Sequence, residues 1–441
     1  MPNILMYTFP IILTAILQLL FNAADLVVVG QFCGSISLAA VGATGSITSL
    51  IVNLFIGLAT GAGICMAQAT GARNEGAMHR VLHTAVPVAL AGGAILTVVG
   101  VVWCEPLLRM MDTPGDVLPL SAVYMRIYFA GITFNLIYNF CAAILRAVGD
   151  TKSPLTFLFI SGVVNVVLNF IFVVFFHMNV AGVALATTIS QGVSAALVVR
   201  VLMRRTDASK LELKKIRFYK KQLIRMISLG LPAGIQSSMF SISNVIIQSS
   251  INSFGDALMS GNAAASNIEG FASVCVTSFY QSALNFTGQN VGAGQHKRVG
   301  KILWACLGCV VIIGAGVGAL LYLFAPQLLS IYITDSAEAL AHGVSRMSIV
   351  GVSVFLIGLM EVTTGVLRGL GSSLIPMIIS VLGVCGIRII WIYTIFRNPL
   401  YHSPESLFVS YPISWFITFV LNLTVLYVIW GRRKKQLHAY S

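Results

Sequence analysis

Four charged side chains interrupt long apolar segments of the sequence: Asp25, Glu269, Glu361 and Arg388. A charge at the centre of a bilayer costs about 3 kcal/mol on insertion scales, so such a residue must face a cavity, pair with an opposite charge or change its protonation state. Each is therefore a candidate for a functional site. The alternative is a structural ion pair or a side chain that reaches to the membrane interface.

Asp25 lies in LQLLFNAADLVVVGQF, an otherwise apolar segment that runs from Leu17 to Phe32. Its carboxylate could exchange a proton or ligate Na⁺ through its oxygens. In a later segment, GVVNVVLNFIFVV, Asn165 and Asn169 have i and i+4 spacing and therefore share one helix face. Two amides in an apolar helix need partners, either in a binding site or as hydrogen-bonding contacts between helices.

Glu269 and Arg388 are the deepest of the remaining charges. Both lie about 12–14 Å from the outer ends of their predicted helices at 1.5 Å per residue. This common depth makes them candidate partners in an ion pair. Glu361 lies nearer the cytoplasmic end of its helix, seven residues before Arg368, and is a candidate for either a cavity residue or an ion-pair residue.

The segments that carry these residues have the length and composition of transmembrane helices. Of the 441 residues, 57% are hydrophobic and 9% are charged, against about a quarter charged in soluble proteins. Apolar runs of about 20 residues recur, and alternating β-barrel segments do not. We predict an all-α polytopic membrane protein with twelve spans, at 5–30, 42–69, 80–103, 120–145, 154–177, 180–202, 223–252, 260–289, 300–323, 342–367, 374–396 and 407–431.

The distribution of basic residues predicts the orientation of these spans. Of the 27 Lys and Arg residues, all but five follow even-numbered spans; the five are Arg109, Arg126, Arg346, Arg388 and Arg397. Basic loops stay on the cytoplasmic side, so both termini are predicted to be cytoplasmic. The net charge of +13 is thus explained by topology, and we expect no nucleic-acid partner.

An internal repeat divides the chain into two halves. Pro10 and Pro232 are 222 positions apart, as are Asn22 and Asn244, and ILRAVGDTKSP (144–154) matches VLRGLGSSLIP (366–376) at the same spacing. Six spans per repeat predict two bundles of the same orientation, related by a pseudo-twofold axis along the membrane normal. The predicted organisation is an N-lobe (1–202), a basic cytoplasmic linker (203–222), a C-lobe (223–431) and a basic tail (432–441).

Two other functional classes receive no support from the sequence. An intramembrane enzyme would need a catalytic pair such as an acid dyad or HExxH, and a directly ATP-driven pump would need a Walker lysine motif; neither occurs. We therefore predict a carrier that is not an enzyme, with no cofactor and no structural metal.

Five segments together resemble the multidrug and toxic compound extrusion (MATE) family over essentially the whole chain: FPIILTAILQLLFNAADLVVVGQF, LAAVGATGSI, ILRAVGDTKSP, VAGVALATTISQ and VLRGLGSSLIP. The resemblance implies six plus six helices and export of amphipathic, often cationic, organic compounds in exchange for H⁺ or Na⁺. Family members commonly begin with a basic amphipathic lead-in that is absent here, which leaves open whether the natural chain starts earlier.

The resemblance also implies roles for individual residues. Asp25 falls at the family's acidic position in the first span, and Thr187 at a hydroxyl position in the sixth, so a coupling-ion site of Asp25, Asn165, Asn169 and Thr187 is implied. Relatives with an acidic site in this lobe read Asn-x-x-x-Asp in the fifth span, whereas here the second acid is replaced by Asn169. Asp25 is then the lone carboxylate of the N-lobe site, and the choice between H⁺ and Na⁺ stays open.

The predicted function is a secondary active multidrug exporter, monomeric and embedded in the plasma (inner) membrane. A flippase for a lipid-linked oligosaccharide, from the same wider superfamily, is the alternative. Flippases of that kind often line their cavities with basic residues, whereas Arg388 alone is deeply placed here.

Overall fold

The computed structural model describes residues 2–111, 113–334 and 336–439, without the side chains at 35, 46, 47 and from 430 onward. Every regular element within these ranges is helical. The predicted all-α fold is therefore confirmed for the part of the chain that the structure describes.

The first half of the chain contains six of the main helices, of which the fourth is broken and the fifth ends in a π-helix. The short helix Cys104–Met110 precedes the fourth. The helices are α1 Pro2–Phe32, α2 Ser35–Gly71, α3 Glu75–Val102, α4a Leu118–Ala130, α4b Ile132–Ala147, α5 Lys152–Asn169 with its π-helix Phe170–Phe175, and α6 Asn179–Arg204.

The second half repeats this order after a short 3₁₀ turn at Leu213–Lys215. Short helices also occur at Ala325–Leu329 and Pro399–Tyr401. The main helices are α7 Lys220–Asn252, α8a Asp256–Thr277, α8b Phe279–Gly292, α9 His296–Leu323, α10a Ala337–Arg346 with the π-helix Met347–Gly351, α10b Val354–Gly369, α11a Leu374–Ser380 with the π-helix Val381–Gly386, α11b Ile387–Tyr393 and α12 Pro404–Ala439.

Nine of the described helices are long and apolar enough to cross a membrane, and the bent pair α4a–α4b brings the number to ten. The other two predicted spans coincide with α7 and with α8a–α8b. These helices are more polar because they contain runs of Ser, Asn and Gln, such as QSSMFSISN (236–244).

Gly131 makes the break in α4 possible. The two pieces meet at an angle of 47°, and Thr188 of α6 packs so closely against Gly131 that a side chain there would overlap it. The Thr188 hydroxyl donates to the carbonyl oxygen of Ile127, 3.4 Å away, in the last turn before the break. A hydroxyl from the neighbouring helix thus satisfies part of the backbone at the bend.

The chain packs as two units. Residues 9–238 form one unit, and residues up to Thr8 form the other together with those from Met239 onward. Within the second unit, Thr8 hydrogen-bonds to Ser282 at 2.6 Å, and the Asn285 amide donates to the Tyr7 hydroxyl at 2.8 Å. The start of α1 is therefore held by α8b.

The start of α7 packs in the other unit, where it crosses α2. Gly57 and Gly61 of α2 lie directly against the backbone of Gly230 and Gly234 of α7, so that a β-carbon at any of the four would overlap the opposite helix. Two GxxxG spacings thus meet face to face, the arrangement that lets helix backbones approach most closely in a membrane.

The basic linker lies against the start of α3. The buried His83 ring accepts a hydrogen bond of 3.0 Å from the Glu212 backbone N–H at Nε2, and its backbone carbonyl accepts one of 3.3 Å from Arg217. Tyr219 donates its backbone N–H to the Thr84 hydroxyl at 3.3 Å. Residues 212–219 are therefore docked on the protein surface.

Candidate functional site

Asp25 lies in α1, partly buried, and both of its carboxylate oxygens accept hydrogen bonds from other helices. The Asn169 amide of α5 donates to Oδ1 at 2.5 Å, and the Thr187 hydroxyl of α6 donates to Oδ2 at 3.4 Å. The carboxylate therefore faces neighbouring helices, and not lipid alone.

The two asparagines complete a closed ring of hydrogen bonds. Asn169 also donates to Asn165 Oδ1 at 3.2 Å, and Asn165 donates to the Thr187 hydroxyl at 3.4 Å. Asn165 is 5% exposed and Asn169 is fully buried, as the i, i+4 spacing on one helix face requires. The structure thus brings together all four residues of the predicted coupling-ion site.

Asp25 has no basic partner among the side chains that the structure describes. Among the described residues, no Lys, Arg or His nitrogen lies within 4.0 Å of its carboxylate, although other ion pairs are found. An acid that is hydrogen-bonded but not ion-paired can take up a cation without first breaking a salt bridge.

The donor set of this ring fits a proton or Na⁺. Two carboxylate oxygens, two amide oxygens and one hydroxyl are brought together, and oxygen is the ligand type that hard cations prefer. Asn169 Oδ1 is buried and accepts no hydrogen bond from the described part of the chain. This unsatisfied acceptor is the kind of group that a bound cation would satisfy.

A break in regular helix geometry follows the ring. The π-helix Phe170–Phe175 begins at the residue after Asn169. Two more π-helices lie beside charged residues of the other unit: one begins directly after Arg346, and one ends shortly before Arg388. Such segments frequently occur at functional sites in helices.

In the second unit, Glu269 pairs with Arg346, and the predicted partner Arg388 is not bonded to it. Arg346 donates from Nη2 and Nε to Glu269 Oε2 at 2.8 and 3.1 Å, and from Nη1 to Asn262 Oδ1 at 2.7 Å. Glu269 and Arg346 are 6% and 5% exposed. Equal depth in the membrane did not identify the partner, because depth does not say which helix face a residue occupies.

Arg388 and the Glu269–Arg346 pair line one cavity, in which Arg388 makes contacts of its own. It donates to Ser414 Oγ at 3.1 Å and to Asn244 Oδ1 at 3.2 Å. Its guanidinium lies over the Tyr411 ring, 4.1 Å from the centroid, and 5.9 Å from that of Trp415. The cavity, of about 210 Å³, is lined by Glu269, Arg346, Arg388, Asn244, Tyr411 and Trp415 among others; we call it the C-terminal cavity.

Glu361 lies elsewhere and does not line the C-terminal cavity. It lies on α10b, seven residues before Arg368 on the same helix. Arg368 in turn donates a hydrogen bond of 2.6 Å to the Tyr280 hydroxyl of α8b. The Arg368–Tyr280 hydrogen bond joins the last turn of α10b to α8b.

Sequence reasoning missed Arg346, although a signal was present. Arg346 lies a few residues inside the predicted span 342–367, and basic residues of odd loops were otherwise few. A basic residue inside a span, like an acid, must be paired or face a cavity, so it is an equal candidate for a functional position.

The described helices define a multi-pass membrane protein with the fold of a MATE transporter. The crystal structure of a MATE protein in complex with MaL6 superimposes with a TM-score of 0.92 at 22% identity, covering 98% of this chain and 97% of that chain.

The MatE family model matches twice, at residues 10–171 and 232–394. The chain therefore belongs to the MatE family and is a transporter, not an enzyme. The two matches begin 222 positions apart, which is the spacing of the predicted internal repeat.

Curated relatives agree with this assignment. The chain is 27% identical to the probable multidrug resistance protein YoeA of Bacillus subtilis (strain 168), over 98% of this chain and 94% of the relative. It is 28% identical to the probable multidrug resistance protein YpnP of the same organism, over 88% of this chain and 86% of the relative.

Proposed function

We propose that this protein is a secondary active exporter that moves small amphipathic organic compounds, cations among them, out of the cell against an inward flow of H⁺ or Na⁺. The observation that carries the proposal is the ring on Asp25, in which Asn169 and Thr187 hydrogen-bond the carboxylate, Asn165 links these two residues, and no described basic residue forms an ion pair with it. The relatives named as multidrug resistance proteins support the substrate class.

Asp25 is proposed to bind the coupling ion, and Asn165, Asn169 and Thr187 to hold its carboxylate in place. Exposure of Asp25 to one side of the membrane loads the ion, and exposure to the other side releases it. Coupling requires that the ion-loaded and substrate-loaded forms prefer different conformations. The six-helix lobes 1–202 and 223–431, related by a pseudo-twofold axis, are proposed to supply these conformations by alternating access.

The basic residues after even-numbered helices support an orientation with both termini in the cytoplasm of a cell whose plasma (inner) membrane holds the protein. In this orientation the predicted linker (residues 203–222), of which residues 212–219 dock on α3, faces the cytoplasm, where its eight basic side chains can lie near anionic lipid headgroups. We propose a monomer as the working unit.

The test is transport by purified protein in liposomes, with H⁺ and Na⁺ gradients imposed separately and a panel of organic cations inside. Gradient-driven efflux that depends on Asp25 supports the proposal and identifies the ion. Equal efflux with and without either gradient would contradict it. Movement of a labelled lipid-linked oligosaccharide, with no movement of the organic cations, would favour the flippase alternative instead.

A further inference from the structure

The C-terminal cavity contains one more positive than negative charge. Its charged lining residues are Glu269, Arg346 and Arg388. Glu269 and Arg346 neutralise each other through the two hydrogen bonds between them. Arg388 has no carboxylate of the described residues within 4.0 Å of its nitrogens, and it is 4% exposed.

Arg346 and Arg388 differ in how many of their guanidinium nitrogens donate hydrogen bonds. Arg346 donates from all three nitrogens to Glu269 and Asn262. Arg388 donates from Nε and Nη1 to the neutral oxygens of Ser414 and Asn244. A guanidinium has five N–H donors, so the fork at the end of Arg388 retains donors for a further acceptor.

Aromatic rings flank this fork. Tyr411 lies 4.1 Å from the Arg388 guanidinium, and Trp415 lies at 5.9 Å, both on α12. Ring faces stabilise a cation but cannot replace a counter-charge in a dry environment. A planar fork beside aromatic rings has the shape and charge to hold an oxyanion in two parallel hydrogen bonds, with an apolar ring against the aromatic wall.

We propose that the C-terminal cavity is a binding site for the carboxylate or phosphate group of a small aromatic solute, with Arg388 as its anion-binding residue. The cavity of about 210 Å³ holds the anionic end and one ring of such a solute. The proposed anion binding does not depend on the proposed export function. The interpretation of the cavity as a substrate site does rest on that function. In that case the transporter accepts anionic and zwitterionic compounds in addition to cations.

The experiment measures binding to the purified full-length protein in nanodiscs, in the absence of any ion gradient. The probes are benzoate, phenyl phosphate, the neutral benzamide and the cationic benzylammonium. We expect benzoate or phenyl phosphate to bind at least about tenfold more tightly than benzamide and benzylammonium. The anion that binds more tightly identifies the preferred oxyanion.

Variants distinguish the effect of the Arg388 guanidinium on anion binding from the effect of the overall charge of the protein. Arg388→Gln should weaken anion binding at least about tenfold with benzamide unchanged, and Arg388→Lys should be intermediate because it keeps the charge but loses the fork. Arg397→Gln is the matched control, since this exposed arginine follows the same helix. If Arg388→Gln does not fold, the comparison of Arg388→Lys with Arg397→Gln carries the test.

Three results would overturn the proposal: equal affinity of the unmodified protein for benzoate, phenyl phosphate and benzamide, unchanged anion affinity in folded Arg388 variants, or an equal loss in Arg397→Gln. The variant Asp25→Asn distinguishes a failure of the anion-site proposal from a failure of the proposed export function. That variant should lose gradient-driven efflux and keep its affinity for the anions, because Asp25 does not line the C-terminal cavity.

Discussion

The amide nitrogen of Asn169 lies 2.5 Å from Asp25 Oδ1 and 3.2 Å from Asn165 Oδ1, so one NH₂ group ties the carboxylate of α1 to the neighbouring amide on α5. With Thr187 the contacts close into a ring that joins three helices. Asp25 is the charged side chain of the ring, and Asn165, Asn169 and Thr187 are neutral. The ring therefore carries one negative charge that no described basic residue balances.

Replacement of Asp25 by Asn should abolish ion-coupled efflux while the protein still inserts and folds. The amide preserves the size of the side chain and its capacity to accept from Asn169, but it cannot bind a proton or hold a cation by charge. Efflux of an organic cation from liposomes under H⁺ and Na⁺ gradients measures the loss.

The matched control for this change is Asp256→Asn, because Asp256 lies at the exposed start of α8a and outside the ring. It should transport at the unmodified rate. Full gradient-driven efflux by Asp25→Asn would show that coupling resides elsewhere.

Asn169→Leu should slow transport more than Thr187→Val. Asn169 is fully buried and makes the 2.5 Å contact, whereas the Thr187 hydroxyl is 3.4 Å from Asp25. Loss of a hydrogen bond to a charged group costs about 1.5–3 kcal/mol, equivalent to about ten- to a hundredfold in ion affinity. The concentration of coupling ion at half-maximal efflux reports this shift, and an identical response of the two variants would argue against the ring.

Glu269→Gln and Arg346→Gln should be strongly non-additive in stability. Removal of one partner leaves a buried charge unpaired and costs about 3–5 kcal/mol, so the double variant should be more stable than the sum of the single effects predicts. Thermal unfolding of the four proteins of this cycle gives the coupling free energy.

The comparison cycle uses Glu269→Gln with Arg388→Gln. Arg388 shares the cavity but not the hydrogen bonds of Glu269, so its coupling to Glu269 should be much smaller. A larger coupling with Arg388 than with Arg346 would contradict the observed pairing.

Gly57→Ala should destabilise the unit formed by residues 9–238. Its new methyl group would overlap the backbone of Gly234, and backbone cannot move aside as a flexible side chain can. A decrease in melting temperature is expected relative to Gly316→Ala, where a β-carbon meets no atom within 4 Å. Equal stability of both variants would mean that α2 and α7 tolerate a wider crossing.

His83→Ala should release the linker from α3. The change removes the ring that accepts from the Glu212 N–H, and it opens space beneath residues 212–219. Trypsin should then cut faster after Lys214, Lys215 or Arg217. His342→Ala, a histidine of α10a outside this contact, should leave the cleavage rate unchanged; equally slow cleavage of both variants would refute docking by His83.

The helices could be predicted from sequence because membrane-spanning helices require long apolar runs, and basic residues mark the loops between them. The shared face of Asn165 and Asn169 followed from helical periodicity, and the repeat followed from residue spacing. The pairing of Glu269 with Arg346 could not be predicted in the same way. The two are 77 positions apart, and their contact depends on how α8a and α10a are rotated about their axes.

The local irregularities were also invisible to residue patterns. The π-helices beside Asn169, Arg346 and Arg388 have the same apolar composition as the regular helix around them. Their positions depend on which carbonyl oxygens each backbone N–H finds in the packed protein. Sequence reasoning therefore located the charged residues but not the distortions that orient them.

The ring on Asp25 restricts what an incoming cation can do. An ion that approaches Oδ1 meets the NH₂ group of Asn169, which points its positive end at the same oxygen. For Asn169 to coordinate a cation through its unbonded carbonyl oxygen, the amide would have to rotate, and its hydrogen bond to Asn165 would be lost. Under the proposed function, ion binding to Asp25 on α1 would therefore be transmitted to α5 through rotation of the Asn169 amide.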